Sequence, residues 1–258
     1  MTATALVTGA SAGIGTEFAR YHAKRGGNLV LVARRKDPLD ALKGELEAAH
    51  GITVHVVAQD LTGADAARQL HQSLTGAGHE IGILINNAGF GGHGNHVDRD
   101  LAAEQAMVDL NVMALMTLTH LFGRDMAARG TGKILNVGST AGFMPGPKQA
   151  VYFATKAFVN SYSQALDEEL RPKGVTVTVL APGYVETEFA KVADLDGTRL
   201  TKSGGKSAAD TARIGYDAMM AGELVAINEA RLRLMLGWVV PLLPRRAVLK
   251  MVSQMQAK

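Results

Sequence analysis

The first apolar run of the chain, Ala5–Thr8, passes directly into TGASAGIG at Thr8–Gly15 and from there into an amphipathic stretch. A strand, a glycine-rich turn and a helix in that order restrict the chain to folds in which a helix crosses back over a parallel sheet. Gly9 permits the sharp turn, Gly13 lets a pyrophosphate approach the backbone, and Gly15 lets the helix pack closely on the strand. The helix start adds free N–H groups and the positive end of its dipole. The spacing is G-x-x-x-G-x-G instead of G-x-G-x-x-G, and a tight strand–helix turn alone also accommodates it.

The rest of the chain repeats the unit. Short β-branched or aliphatic runs recur at Leu29–Ala33, Thr53–Ala58, Ile81–Asn86, Lys133–Val137 and Val175–Leu180. They mostly lack polar alternation, as strands buried on both faces do. Helical stretches lie between them at Ile14–Lys24, Leu39–His50, Ala64–Thr75, about Leu101–Arg129 and Tyr152–Arg171. The expectation is an α/β fold over residues 1–258: a single-domain, doubly wound parallel sheet of Rossmann-like type with helices on both faces and ligands beyond the strand carboxyl ends. Polar, glycine-bearing residues 191–209 read as a lid-like, mobile loop, followed by a helix at Ala209–Met220.

Charge bears on the choice of ligand. The formal charge of +3 and pI near 9.1 conceal a division, because the six basic residues from Arg231 onward face no acid and leave residues 1–230 at −3. Few aromatics accompany this modest excess, so nucleic acid is not an expected partner. No cysteine is present, which removes thiolate chemistry and thiolate metal sites. The start of the chain has no basic leader, and Leu234–Leu243, broken by Gly237 and Pro241, is about half the ~20 residues of a spanning helix. A soluble, cytoplasmic protein is expected.

Arg34 stands nineteen residues beyond Gly15 at the end of the second strand, with Arg35 and Lys36 next to it. That place reads the ribose of a bound dinucleotide: a carboxylate there would repel a 2′-phosphate, whereas guanidinium groups pair with it. NADP(H) is therefore favoured over NAD(H). Tyr152 and Lys156, four apart at the start of a helix, project from one face. A nearby ammonium lowers a phenol's pKa and suits it to acid–base work. Ser139 follows a strand end, placed to polarise a carbonyl oxygen, and Asn111 is a polar insertion in an apolar helix, able to hold a water linking Lys156 to solvent.

In order, TGASAGIG, NNAG at Asn86–Gly89, Asn111, Ser139, Tyr152, Lys156 and PGYVET at Pro182–Thr187 make the chain resemble the short-chain dehydrogenase/reductase superfamily over nearly its whole length, as an NADP-preferring ketoreductase-like member. The resemblance implies hydride transfer between a nicotinamide and a carbonyl, with Tyr152 as general acid, Ser139 orienting the carbonyl, Lys156 binding the ribose and lowering the tyrosine pKa, and Asn111 in a proton relay. It also implies cofactor contacts at Thr8, Gly9, Ser11, Gly13, Ile14 and Gly15, at Asp60 and Leu61 around the adenine, at Asn87, Ala88 and Gly89, and at Pro182, Gly183, Val185 and Thr187. Gly138 departs from it, since the family often has a second serine there. The resemblance further implies a homodimer or homotetramer built on the helix from Tyr152 and the long helix before it.

Phe90, Phe143, Met144, Tyr184 and Phe189 are expected to line the pocket, with His93 and His96 at its rim, which suits a hydrophobic ketone or aldehyde. No metal is expected. Two rivals remain: a non-catalytic NADPH sensor, and a serine hydrolase with Ser11 in the G-x-S-x-G of Gly9–Gly13. The basic, apolar segment 229–258 is assigned to pocket cover and subunit packing, with rest on an anionic membrane surface as the lesser reading.

Overall fold

A computed structural model describes residues 3–202 and 204–258. Seven parallel strands, β1 (Ala5–Thr8), β2 (Leu29–Ala33), β3 (Val54–Ala58), β4 (Ile83–Asn86), β5 (Gly132–Val137), β6 (Val175–Leu180) and β7 (Val225–Ala226), form one sheet in the order β3-β2-β1-β4-β5-β6-β7. The order reverses between β1 and β4, and at that reversal the loops after both strands diverge and leave a crevice. The six expected strands are all present. β7 escaped notice because two residues give no run to detect; it is held by Val179 and Leu180 of β6.

The helices are α1 (Gly13–Ala23), α2 (Lys36–His50), α3 (Ala66–Gly76), α4 (Leu101–Val108), α5 (Leu115–Arg129), α6 (Ala150–Leu170), α7 (Phe189–Val192), α8 (Arg199–Lys202), α9 (Ala208–Ala221), α10 (Ala230–Leu234) and α11 (Arg245–Met255). α2 begins three residues before the expected Leu39, because Pro38 lies in its first turn, where no N–H is needed. On one face of the sheet α1, α2 and α9 bury Phe18, Leu39, Leu46 and Tyr216; on the other α3 and α5 bury Leu70, Leu118, Phe122 and Met126. Both faces of the sheet are thereby covered, which is why most of its strands carry no polar alternation.

A π turn at Asp109–Ala114 joins α4 and α5 into a helical run, Leu101–Arg129, long and apolar enough to cross a membrane. Half of its most apolar window is buried within the protein, where it covers the sheet. The lid-like segment 191–209 is more built than its polar composition suggests, although Ser203 within it lies outside the described residues. Ala190, Ala193 and Leu195 pack with Tyr184 and Phe189, and Thr198 is fully buried.

His22 of α1 is buried between the Tyr216 hydroxyl (2.8 Å) and the Asn28 carbonyl (3.2 Å). Burial pushes its imidazole down from the usual 6.5 to about 4. The unfolded chain takes up this proton near pH 6.5 and the folded chain only near 4, so the associated stability is complete above about 6.5 and disappears as pH falls toward 4. Urea unfolding should show a loss on the order of 3 kcal/mol across that window. The loss should be smaller in His22→Asn, which has no proton to take.

Candidate active site

At the carboxyl ends of the strands a cleft of about 330 Å³ runs from the loop after β1 to the C-terminal segment. Gly9 and Gly13 line it with φ of 66° and 57°, a region costly for residues with a Cβ. A Cβ on Gly9 would stand 2.8 Å from Asn87 Nδ2, and one on Gly13 3.1 Å from Thr187 Cγ2. Gly15 is needed for packing, since its Cβ would fall 2.2 Å from the Gly9 carbonyl oxygen. α1 begins with no side-chain cap at Ala12, and Ala12, Gly13 and Ile14 turn toward the cleft. The glycine-lined wall and the uncapped helix start fit the phosphates of a dinucleotide.

Asparagine amides hold the loops that form the walls. Asn87 donates from Nδ2 to the carbonyls of Thr8 (3.0 Å) and Gly9 (3.2 Å), while the backbone N–H groups of Asn87 and Ala88 donate to Thr8 Oγ1, each at 3.0 Å. Asn111, turned inward by the π turn, accepts from Phe90 N (3.1 Å) and donates to Phe90 O (2.9 Å) and Thr155 Oγ1 (3.1 Å). Both ends of its amide are thus engaged with protein groups. Asn160 donates to the Ser139 carbonyl at 2.9 Å and accepts from Ser139 N at 3.4 Å.

Asn160 was missed in the sequence, although it lies four residues beyond Lys156 on the face that carries Tyr152. It also accounts for Gly138. A Cβ at that position would meet Asn160 Oδ1 at 2.0 Å, so the place where the family often has serine is taken by an amide from α6.

Tyr152, Lys156 and Ser139 converge in the cleft. Lys156 Nζ donates to the Val137 carbonyl (2.8 Å) and stands 5.8 Å from the centre of the Tyr152 ring. Burial lowers its pKa to about 8. The Tyr152 phenol is pushed up to about 12 by burial, against which the Ser139 hydroxyl pulls down. The expected lowering by the ammonium does not appear; removing a phenolate from water costs more than the Ser139 hydrogen bond returns. Ser139 Oγ accepts from Ala141 N at 3.0 Å, and its hydroxyl is turned to the Tyr152 phenol and, more distantly, to the Pro182 carbonyl, 3.5 Å away. A further acceptor in the cleft can take the hydrogen bond of that hydroxyl.

Arg34 lines the cleft and makes no ion pair or hydrogen bond among the described residues. Arg35 instead bridges Glu188 (2.9 Å) and the Ser11 carbonyl (3.4 Å). Ala88, Gly89, Pro182, Gly183, Val185 and Thr187 also form the walls. Asp60 closes a turn onto Thr62 and Leu61 is buried in the core, so neither lines the cleft. Phe90, Met144, Tyr184 and Phe189 line it, while Phe143 packs beneath the C-terminal segment. His93 bonds the Gln256 carbonyl (2.8 Å) and His96 faces Glu104 (3.5 Å). Ser11 has no histidine bonded to its hydroxyl among the described residues, so its G-x-S-x-G has no base to activate a nucleophile.

The C-terminal segment closes the far wall with Val252, Met255 and Gln256. Leu236, Val240, Val248 and Val252 pack on Phe153, Met144 and Tyr152. Lys258 pairs with Asp194 (2.7 Å), and Gln149 Nε2 donates to Gln256 Oε1 (2.7 Å). The segment is a pocket cover.

Residues 3–196 match the short chain dehydrogenase family. Over 256 residues the chain is 33% identical to the very-long-chain 3-oxoacyl-CoA reductase of Macaca fascicularis, covering 97% of this chain and 78% of that one. The chain spans 61% of the length of the human enzyme of that name, at 36% identity over 73% of this chain. Among solved structures it is similar to a short-chain dehydrogenase from Sphingobium yanoikuyae in complex with NADPH, at TM-score 0.84 and 35% identity over 90% of each chain. It is also similar to the bulky-bulky ketone specific alcohol dehydrogenase of Comamonas testosteroni, at TM-score 0.78 and 33% identity over 95% of this chain and 98% of that one.

The relatives correct one expectation. Cytoplasmic localisation does not stand, since the very-long-chain 3-oxoacyl-CoA reductases are enzymes of the endoplasmic reticulum membrane. A leader or a spanning run reports how a chain is exported or threaded. Neither reports whether a finished surface meets lipid.

The approach of Gly138 to Asn160 can be tested directly. Gly138→Ser should destabilise the protein by about 1–3 kcal/mol, the usual range for overpacking, and lower turnover by displacing Ser139. Adding Asn160→Ala should recover part of the stability, measured by denaturant unfolding.

Proposed function

The chain belongs to the short-chain dehydrogenase family, and from that premise we propose that it is an NADPH-dependent oxidoreductase that reversibly reduces a hydrophobic ketone or aldehyde to the alcohol. The observation that carries the reading is the convergence of Ser139, Tyr152 and Lys156 in an apolar cleft that continues into a glycine-lined phosphate cradle. The neighbour that holds NADPH and the neighbour named for bulky ketones support the cofactor and the substrate class.

Gly9, Gly13 and the N–H groups at the start of α1 would hold the pyrophosphate, and Arg34 would pair with the 2′-phosphate. When bound, NADPH supplies the hydride that the carbonyl carbon accepts. Ser139 turns its hydroxyl proton to the carbonyl oxygen in a hydrogen bond and fixes its direction. Tyr152, whose phenol stays protonated at neutral pH, passes its proton to the same oxygen as negative charge develops there. Lys156 is the cation that steadies the resulting phenolate, and it would hold the cofactor ribose. Asn111 is a positioning residue: by holding Phe90 and Thr155 it sets the wall against which the proton path to Lys156 runs.

An oligomer completes the reading, a homodimer or homotetramer. On α6 the rings of Phe158 and Tyr162 stack at 5.3 Å, half-buried, while Leu101, Val108 and Met113 of the preceding helical run are exposed. These apolar faces support pairing of the same helices across a two-fold axis.

A carbonyl panel with NADPH and NADH should show consumption of NADPH in preference to NADH, and Arg34→Ala should raise the KM for NADPH about tenfold with little change for NADH. Tyr152→Phe should lower kcat by about a hundredfold or more while cofactor binding, read by fluorescence, persists. Because Lys156 loses its charge above about pH 8, kcat/KM for reduction should fall through that pH instead of near 10. Cofactor binding without turnover on any carbonyl would favour a sensor.

A further inference from the structure

The C-terminal segment is apolar on two opposite sides, and the fold uses only one. Leu232, Leu236 and Val240, four residues apart, point inward and pack with Phe153 and Met144 in the pocket cover. Offset by two residues along the same helical backbone, Leu234, Trp238 and Leu242 form a second row, 62%, 74% and 83% exposed. A helix apolar all round is ordinarily buried all round. Among the described residues nothing covers the outer row.

The charge around this row identifies what covers it. Arg231, Arg233, Arg245, Arg246 and Lys250 are all exposed, and among the described residues none pairs with a carboxylate. No acid follows Glu229 in the chain. A second copy meeting this face across a two-fold axis would bring its basic residues against the same basic residues, an arrangement that disfavours a dimer. Exposed apolar side chains flanked in the chain by exposed basic residues instead match a surface with an apolar interior and anionic headgroups.

We propose that Leu234, Trp238 and Leu242, with the flanking arginines and Lys250, form an interfacial docking surface for an anionic phospholipid bilayer. The outer side of the segment rests in the headgroup region while its inner side, through Val252 and Met255, closes the cleft. An apolar carbonyl compound dissolved in the bilayer is thereby delivered beside the pocket. The surface is independent of the catalytic groups, since none of its exposed residues lines the cleft.

Trp238 is the single tryptophan of the chain and serves as the reporter. The full chain should sediment with vesicles of phosphatidylcholine mixed with phosphatidylglycerol, and its tryptophan emission should shift to the blue. Phosphatidylcholine vesicles alone, or high salt, should abolish most of this binding. At about 1 kcal/mol per basic residue near an anionic surface, R245Q/R246Q should weaken binding roughly thirtyfold. Trp238→Ser with Leu242→Ser should remove vesicle binding and leave turnover of a water-soluble ketone unchanged, which separates this surface from the proposed reaction. Absence of sedimentation and of an emission shift with anionic vesicles, or equal binding to neutral ones, overturns the proposal. A blue shift that grows with protein concentration without lipid also overturns it, and assigns the face to a second copy.

Discussion

A parallel sheet ends in loops whose N–H and C=O groups have left the ladder and must find partners before anything can be built on them. Here three asparagine side chains meet that requirement: Asn87 on the loop after β1, Asn111 on Phe90 after β4, and Asn160 on Ser139 after β5. Each joins a loop to a different element. Because these amides satisfy the backbone, Ser139, Tyr152 and Lys156 are left to face the cleft. The same close approach explains Gly15 and Gly138, where a Cβ would fall on a carbonyl or on the amide itself.

Burial then sets the protonation of the site. It raises the Tyr152 phenol and lowers the Lys156 ammonium, so at neutral pH a protonated acid stands beside a cation that can still be discharged by a modest rise in pH. Spacing in the sequence points to the pair and to an attraction between them. Desolvation, which depends on how completely Phe189, Phe153 and the C-terminal segment close over the phenol, sets the phenol's direction instead. No local pattern carries this information.

Arg34 and Arg35, adjacent in the chain, have different surroundings. Among the described residues Arg34 has no partner in the cleft wall, whereas Arg35 ties the glycine loop to Glu188 at the start of α7. The basic tail divides similarly. Lys258 pairs with Asp194 and secures the cover, while the arginines around Trp238 face outward. A single count of charge contains both kinds and distinguishes neither.

By itself the sequence determined the strand–helix alternation, the glycine loop, and the spacing that puts Tyr152 and Lys156 on one helix face, because these follow from backbone periodicity and from residues that permit particular dihedral angles. It placed six of seven strands for the same reason. Only the tertiary structure decided that Asn160 displaces a side chain at Gly138, that Asn111 is engaged with Phe90, and that Asp60 and Leu61 stand back from the cleft. It alone decided that the polar segment 191–202 hides a small core and that the tail has one row inside and one outside. Those outcomes depend on distances between residues far apart in the chain, and such distances are set by packing, which one-dimensional patterns do not encode.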